Sequence, residues 1–173
     1  SAASDVYKRQ PLEFSMDDSP GISPILHALD MLPGFDLILN LQPTSPLRTT
    51  DDIDSCIEFF NQHSAPACLS VSPVYENPAL MCSIDTNFQL LPLLNKEVFK
   101  QRRQEFPTVY KINGALYLAE IEWLKKSKSF HTDETLGFIM PLERSIDIDI
   151  PYDLKLAENL LPSQHPPRAS LSI

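Results

Sequence analysis

Apolar residues recur along this chain with two periods, one helical and one extended. Ile22, Ile25, Leu26 and Leu29 fall at i, i+3, i+4 and i+7, the spacing of a single helix face. Ser23 is placed to cap that helix, Pro24 suits its first position, and Pro33-Gly34 ends it. Residues 35–41 (FDLILNL) form a short, mostly apolar run that predicts a buried strand. A second helical stripe follows in Ile53, Cys56, Ile57 and Phe60, and Thr49 with Asp52 has the spacing of a capping box. Residues 67–71 predict the next strand. Helix, strand, helix, strand with short connections is the rhythm of an α/β domain with a parallel sheet.

The middle of the chain, residues 72–107, loses this rhythm. It mixes prolines and charges with one apolar piece at residues 90–94 and predicts an excursion from the sheet, a hairpin-like arm. Residues 111–119 (KINGALYLA) return as a strand. A short helix over 120–128 carries Ile121 and Leu124, and residues 135–140 and 145–150 predict further strands. Pro151 opens a last helix with Leu154, Ala157, Leu160 and Leu161 on one face. Residues 1–10 show no period and are expected to be a disordered or non-native tail. Residues 162–173 are Pro-rich and are expected to be a flexible tail.

Composition narrows the function. The chain has 173 residues, of which 43% are hydrophobic, enough for one domain with a real core. The net charge of −9 argues against a nucleic-acid polymer or an anionic membrane surface as partner. A small anionic substrate remains open, because its site needs only a few local cations or a bound metal. The three cysteines, Cys56, Cys68 and Cys82, are odd in number and show no CxxC spacing, as expected of free thiols in a reducing cytoplasm. No apolar run approaches the roughly 20 residues a bilayer span needs, and the start lacks the pattern of a signal peptide. Only four glycines accompany 16 prolines, and no segment has the glycine density of a phosphate-cradling loop.

Three segments carry candidate chemistry. Gln42-Pro43-Thr44-Ser45-Pro46-Leu47-Arg48 lies past the carboxyl end of an apolar strand, the edge where open α/β sheets bind ligands. Its polar groups also suit an ordinary loop whose hydroxyls cap the next helix. In residues 145–150 (SIDIDI), strand alternation would point Asp147 and Asp149 to one face. Two adjacent carboxylates repel unless a cation lies beside them, and Mg²⁺ takes one or two carboxylates plus substrate phosphates. The plain alternative is a solvated acidic strand face. The third segment joins Arg102 and Arg103, able to clamp a carboxylate, with Asn113-Gly114. A glycine within a strand marks close approach to the backbone; a hairpin turn is equally consistent with Asn-Gly.

Together, LQPTSPLR (residues 41–48), RRQEFPTVYKINGALY (102–117) and MPLERSIDIDIPYDLKLAE (140–158) resemble the acylneuraminate cytidylyltransferases in order and placement, over roughly residues 17–161. The resemblance implies a Rossmann-like nucleotide-diphospho-sugar transferase fold with a mixed, mostly parallel sheet. It implies a cytidylyltransferase domain over residues 11–161, with a small dimerisation arm at about 73–108 and a homodimer. The implied reaction transfers CMP from CTP to a nonulosonic acid, an α-keto acid sugar, and releases pyrophosphate. By similarity, Asp147 and Asp149 would bind the catalytic Mg²⁺, and Gln42, Asn113 and Tyr117 would line the sugar pocket. Arg103 would reach the sugar from the arm into the partner's site, Phe130 would lie beside the sugar, and Ser19 and Ser23 would neighbour the cytosine. The family opens with a strand and a basic, Gly-containing loop around the triphosphate. No counterpart occurs here, so the chain is expected to be an N-terminally truncated frame with little turnover of its own. Alternatives are a cytidylyltransferase for legionaminic, pseudaminic or octulosonic acid, or a non-catalytic sugar-binding homologue.

Overall fold

A computed structural model describes residues 21–94 and 102–161, with Arg103 described in its backbone alone. Both tails, the middle of the arm, Ser19 and the Arg103 side chain lie outside the described residues. Four strands form the main sheet in the order β1 (Leu37–Asn40), β5 (Val109–Glu120), β2 (Ala67–Val74), β6 (Thr135–Ile139). β5 runs antiparallel to both β1 and β2, while β2 and β6 are parallel. Three strands therefore share one direction and β5 alone opposes them, which makes the sheet mixed, as expected.

Strand alternation builds two cores, one on each face. Ile38, Ala67, Leu69 and Ala119 face helices α1 (Ser23–Met31) and α3 (Ile121–Ser127), where they meet Leu29, Leu124 and Phe130. Leu39, Cys68 and Leu118 face α2 (Thr50–Gln62), where they meet Cys56, Phe60 and Met140. Burial on both faces is why these strands read as apolar runs rather than as clean alternation.

The capping box expected at Thr49 is present. Thr49 Oγ1 accepts the Asp52 amide at 3.2 Å, and Asp52 Oδ2 accepts the Thr49 amide at 2.9 Å. Asp52 also takes a two-armed ion pair from Arg144, with Nη2 at 2.8 Å and Nε at 2.9 Å. Burial alone would raise the Asp52 pKa. The Arg144 hydrogen bonds and the Thr49 donors outweigh it and hold the carboxyl below its ordinary value of 3.8. A lowered folded-state pKa contributes stability that is present above the unfolded value and lost as pH falls through the folded one. Asp52→Asn is therefore expected to cost about 1–3 kcal/mol at neutral pH, the partial exposure of Arg144 tempering the figure. In urea unfolding followed by circular dichroism, the gap from wild type should close as pH drops below the carboxylate range.

Two expectations about local structure are corrected. Ser23 does not cap α1: the cap position is Ile22, with no side-chain hydrogen bond, and Ser23 lies inside the first turn. Residues 145–150 are not a strand. Ile148 donates its amide to Thr44 O at 2.9 Å, so the segment is fastened to the QPTSPLR loop rather than to a ladder. Isoleucine–aspartate alternation matched the strand period, but pairing, which a period does not reveal, was missing. Just upstream, a short 3-10 turn over Leu142–Arg144 is tied to α2 through the Asp52–Arg144 pair.

The arm appears as a two-stranded antiparallel hairpin, β3 (Cys82–Ile84) with β4 (Leu90–Pro92). Asp85 Oδ1 closes its turn by accepting the amides of Asn87 and Gln89, each at 2.8 Å. Ile84, Phe88, Leu90 and Leu94 stand exposed on it. The last helix, α4 (Pro151–Leu160), buries only Ala157 of its expected stripe; Leu154, Leu160 and Leu161 face outward.

Candidate active site

The carboxyl end of β1 delivers the QPTSPLR loop to the sheet's ligand-binding edge. Arg48 is not a free cation here: its Nη1 donates to Ala115 O at 2.7 Å and to Gln42 O at 3.3 Å. It pins the loop to β5 and leaves the Gln42 side chain as the polar group presented by the loop's start. Ser45 is buried, with Oγ 3.5 Å from Asn113 O.

Opposite the loop, β5 is interrupted. The register with β2 shifts between Leu69 and Val71, and Gly114 sits in the shifted stretch with φ of +74°. Asn113-Gly114 is thus a bulge within a strand, not a hairpin turn. Alternation fails here too, since Ala115 and Leu116 both face the α2 core.

The glycine marks a close approach. A Cβ at Gly114 would lie 2.7 Å from Gln42 Oε1 and 2.8 Å from Asp147 Oδ2. Both side chains thus close on the one residue that offers no side chain of its own, although Gln42 and Asp147 are 105 positions apart in the numbering. Asp147 Oδ1 is buried and has no hydrogen-bond partner. A desolvated carboxylate oxygen left unpaired is costly and marks a place where a cation or donor is wanted.

Asn113, expected in the pocket wall, lies behind it. It is 1% exposed, and its amide is spent inside the protein. Its Oδ1 accepts Ser70 Oγ at 2.6 Å and the Ala115 amide at 3.2 Å. Its Nδ2 donates to Ser145 Oγ at 2.8 Å and points at Met140 Sδ at 3.7 Å. Asn113 therefore holds the bulge and the start of the Asp147 loop in register. Asn113→Ala is expected to cost about 2–4 kcal/mol in chemical denaturation, because it opens a cavity and removes buried hydrogen bonds to Ser70, Ser145 and the Ala115 amide. An asparagine facing an open pocket would cost far less.

A cavity of about 320 Å³ opens beside Gln42, and Tyr117, Phe130, Asn40, Lys128 and His131 share its wall. The Tyr117 and Phe130 rings meet edge to face at 5.4 Å. Burial, and then the negative charge of Asp147, pushes the Tyr117 phenol pKa above its usual value, so Tyr117 presents a neutral hydroxyl near the carboxylate. Ser23 is outside this wall; its neighbours Gly21 and Ile22 are in it. Asp147 itself lines a second cavity, of about 490 Å³, with Lys111, Ser145 and Asp153.

Asp149 is exposed, and its amide donates to Asp153 Oδ2 at 3.1 Å. The strand argument for a shared face does not apply to this loop; Asp147 alone is brought against Gly114. Among the described residues, no group of three or more His, Cys, Asp or Glu is arranged to hold a metal ion. Also among them, no helix is long and apolar enough to cross a membrane.

Asn40, Lys128 and His131 escaped the sequence reading. Asn40 had a usable signal, being a polar residue at the carboxyl end of an apolar strand. Lys128 and His131 had none, because the loop after α3 carries no spacing motif.

This sheet, with its binding edge and side chains converging on a strand bulge, is the α/β fold of a nucleotide-sugar nucleotidyltransferase. The solved structure of CMP:2-keto-3-deoxy-manno-octonic acid synthetase complexed with CTP matches it with a TM-score of 0.55 over 83% of this chain and 68% of that one, at 14% identity. No family model matches the chain. The sequence is similar to the CMP-N,N'-diacetyllegionaminic acid synthase of Legionella pneumophila, 34% identical over 131 residues, covering 73% of this chain and 54% of that protein. It is similar also to the N-acylneuraminate cytidylyltransferase of Streptococcus agalactiae, 30% identical over 109 residues, covering 63% of this chain and 26% of the relative. The chain is thus a relative of the acylneuraminate and legionaminic acid cytidylyltransferases, as its three segments indicated. It spans about half the length of the first relative and about a quarter of the second.

Proposed function

We propose that this chain carries the sugar-side half of a cytidylyltransferase site, where CMP passes from CTP to an acylneuraminate-type nonulosonic acid. The observation that carries the reading is the approach of Gln42 and Asp147 to Gly114 from two sides: Gln42 lines one cavity, Asp147 lines the neighbouring one, and a buried Asp147 carboxylate oxygen is left unpartnered. In the reaction, the anomeric hydroxyl of the sugar attacks the α-phosphorus, the bond to the β-phosphate breaks, and pyrophosphate departs with the electron pair.

In this reading Asp147 would hold Mg²⁺, while Asp149, exposed on the same loop, is not brought to Gly114 with it. The unpaired Oδ1 and the all-oxygen donors fit a hard cation that completes its shell with phosphate and water. Bound there, the ion would neutralise charge on the phosphate. Gln42 and the neutral Tyr117 hydroxyl offer hydrogen bonds to the sugar's hydroxyl and acylamino groups, and Phe130 packs behind them. Arg103 supplies a cation from the arm, and the exposed apolar hairpin suits a homodimer in which that arm serves the partner's site. The three free thiols fit action in the reducing cytoplasm.

The described residues contain no glycine-dense phosphate loop, so turnover from these residues alone is expected to be low and binding is the direct test. Saturation-transfer NMR with N-acetylneuraminate, legionaminic, pseudaminic and octulosonic acids, with Mg²⁺ and CTP present, should show one of these acids bound to the wild-type chain. Absence of binding for all four would end the reading. Which acid binds best separates sialic acid chemistry from its sister activities.

A further inference from the structure

Lys128 occupies a conformation that its residue type does not favour. It ends α3 in the left-handed region, with φ of 53°, where glycine or asparagine is the usual and less strained choice. The loop that follows is held stiff by its own serines. Ser127 Oγ donates to Ser129 O at 2.9 Å, and Ser129 Oγ donates to His131 O at 3.0 Å and accepts the His131 amide at 3.1 Å. Phe130 anchors the loop in the core against Tyr117.

This rigid loop places Lys128 in the wall of the cavity beside Gln42. The same wall contains no acidic side chain, and its other ionisable groups are Tyr117 and His131. Lys125, one turn earlier, is paired with Asp30 at 3.3 Å. Lys128 has no ion-pair partner among the described residues. An exposed, strained lysine with no ion-pair partner among the described residues, in the wall of a cavity whose lining holds no acidic side chain, in a chain of net charge −9, has the chemistry of an anion-binding group.

We propose that Lys128 binds the carboxylate of the acidic sugar and so makes the cavity select sugar acids over neutral sugars. This rests on the reading of that cavity as the sugar site. It assigns the carboxylate a partner within the same chain, separate from Arg103 of the arm.

The experiment titrates the 173-residue chain and its Lys128→Gly and Lys128→Arg variants with N-acetylneuraminate and with its uncharged methyl ester, by saturation-transfer NMR or calorimetry. Wild type should prefer the acid by about tenfold, the size expected of a partly exposed charge-assisted hydrogen bond. Lys128→Gly should bind acid and ester alike, and Lys128→Arg should keep the preference. Since glycine relieves the backbone strain, Lys128→Gly should melt no lower than wild type, which separates lost recognition from lost folding. Retention of the preference by Lys128→Gly, or equal binding of acid and ester by wild type, overturns this assignment alone. Wild type binding neither form overturns it together with the cytidylyltransferase reading.

Discussion

Asp147→Asn is expected to weaken Mn²⁺ binding, measured by electron paramagnetic resonance as a stand-in for Mg²⁺, by about a hundredfold or more, while leaving the protein as stable as wild type or slightly more so. The two effects have one cause. Asp147 Oδ1 is buried without a partner, so the folded protein bears a desolvation cost that no internal hydrogen bond offsets. The neutral amide lowers that cost, and a gain of up to about 1 kcal/mol is reasonable. It also removes the charge for which a hard cation would come. Loss of function with retained or improved stability is the pattern of a residue kept for chemistry rather than folding. A third readout follows from Tyr117, whose phenol is held high first by burial and then by the Asp147 charge. In Asp147→Asn, spectroscopic titration should show this phenol ionising at a lower pH than in wild type, though still above the usual tyrosine value because burial remains. An Asp147→Asn variant that unfolds readily and keeps its metal would mean that the carboxylate is structural.

Gly114→Ala should be nearly as damaging to binding, by a different route. The new methyl would lie within 2.8 Å of both Gln42 Oε1 and Asp147 Oδ2. Both are the far ends of side chains, so they move aside at little cost. The positive φ adds strain of about 1–2 kcal/mol. Thermal unfolding should therefore register a moderate loss, about 1–3 kcal/mol in all, whereas on the proposed function affinity for Mn²⁺ and for the sugar acid should fall by tenfold or more, because the two displaced groups are those proposed to bind them. Gly137→Ala is the control. There a Cβ meets only Val71, at 3.4 Å and 3.7 Å, and φ is not positive. It should leave both affinities unchanged, which excludes a general intolerance of the sheet to added methyl groups.

Period and caps made much of the fold legible. The stripe Ile53, Cys56, Ile57, Phe60 and the Thr49–Asp52 box set α2 almost to the residue, because both signals are local. β2 and β5 ran longer than their apolar cores, since pairing with each other carries them through Pro73 and Val109 where composition alone stopped. Residues 145–150 failed for the opposite reason: the alternation was right and the neighbouring strand was missing. The site divides in the same way. Gln42 and Asp147 were picked out by the loop position and by the paired acids, and Tyr117 by the resemblance alone. That Gln42 and Asp147 both approach Gly114 depends on a bulge created opposite Ser70, and no window of sequence contains both strands. Asn113 illustrates the limit most directly. A polar side chain beside a glycine in a strand serves a ligand or a buried network equally well, and only Ser70, Ser145 and Met140 around it decide for the network. Lys128 was invisible because its meaning comes from a backbone angle and from the lack of an ion-pair partner among the described residues, neither of which is written in residue order.

The central claim is that a divalent ion bound at Asp147 adjoins a sugar acid bound beside Gln42 and Tyr117. Paramagnetic broadening of the proton resonances of N-acetylneuraminate by Mn²⁺, recorded with the wild-type chain and with Asp147→Asn in the presence of CTP, tests both halves together. The expected result is strong broadening with wild type that drops to the level of free Mn²⁺ in Asp147→Asn while the sugar still binds. Equal broadening in the two proteins, or none in wild type with sugar bound, would contradict the account.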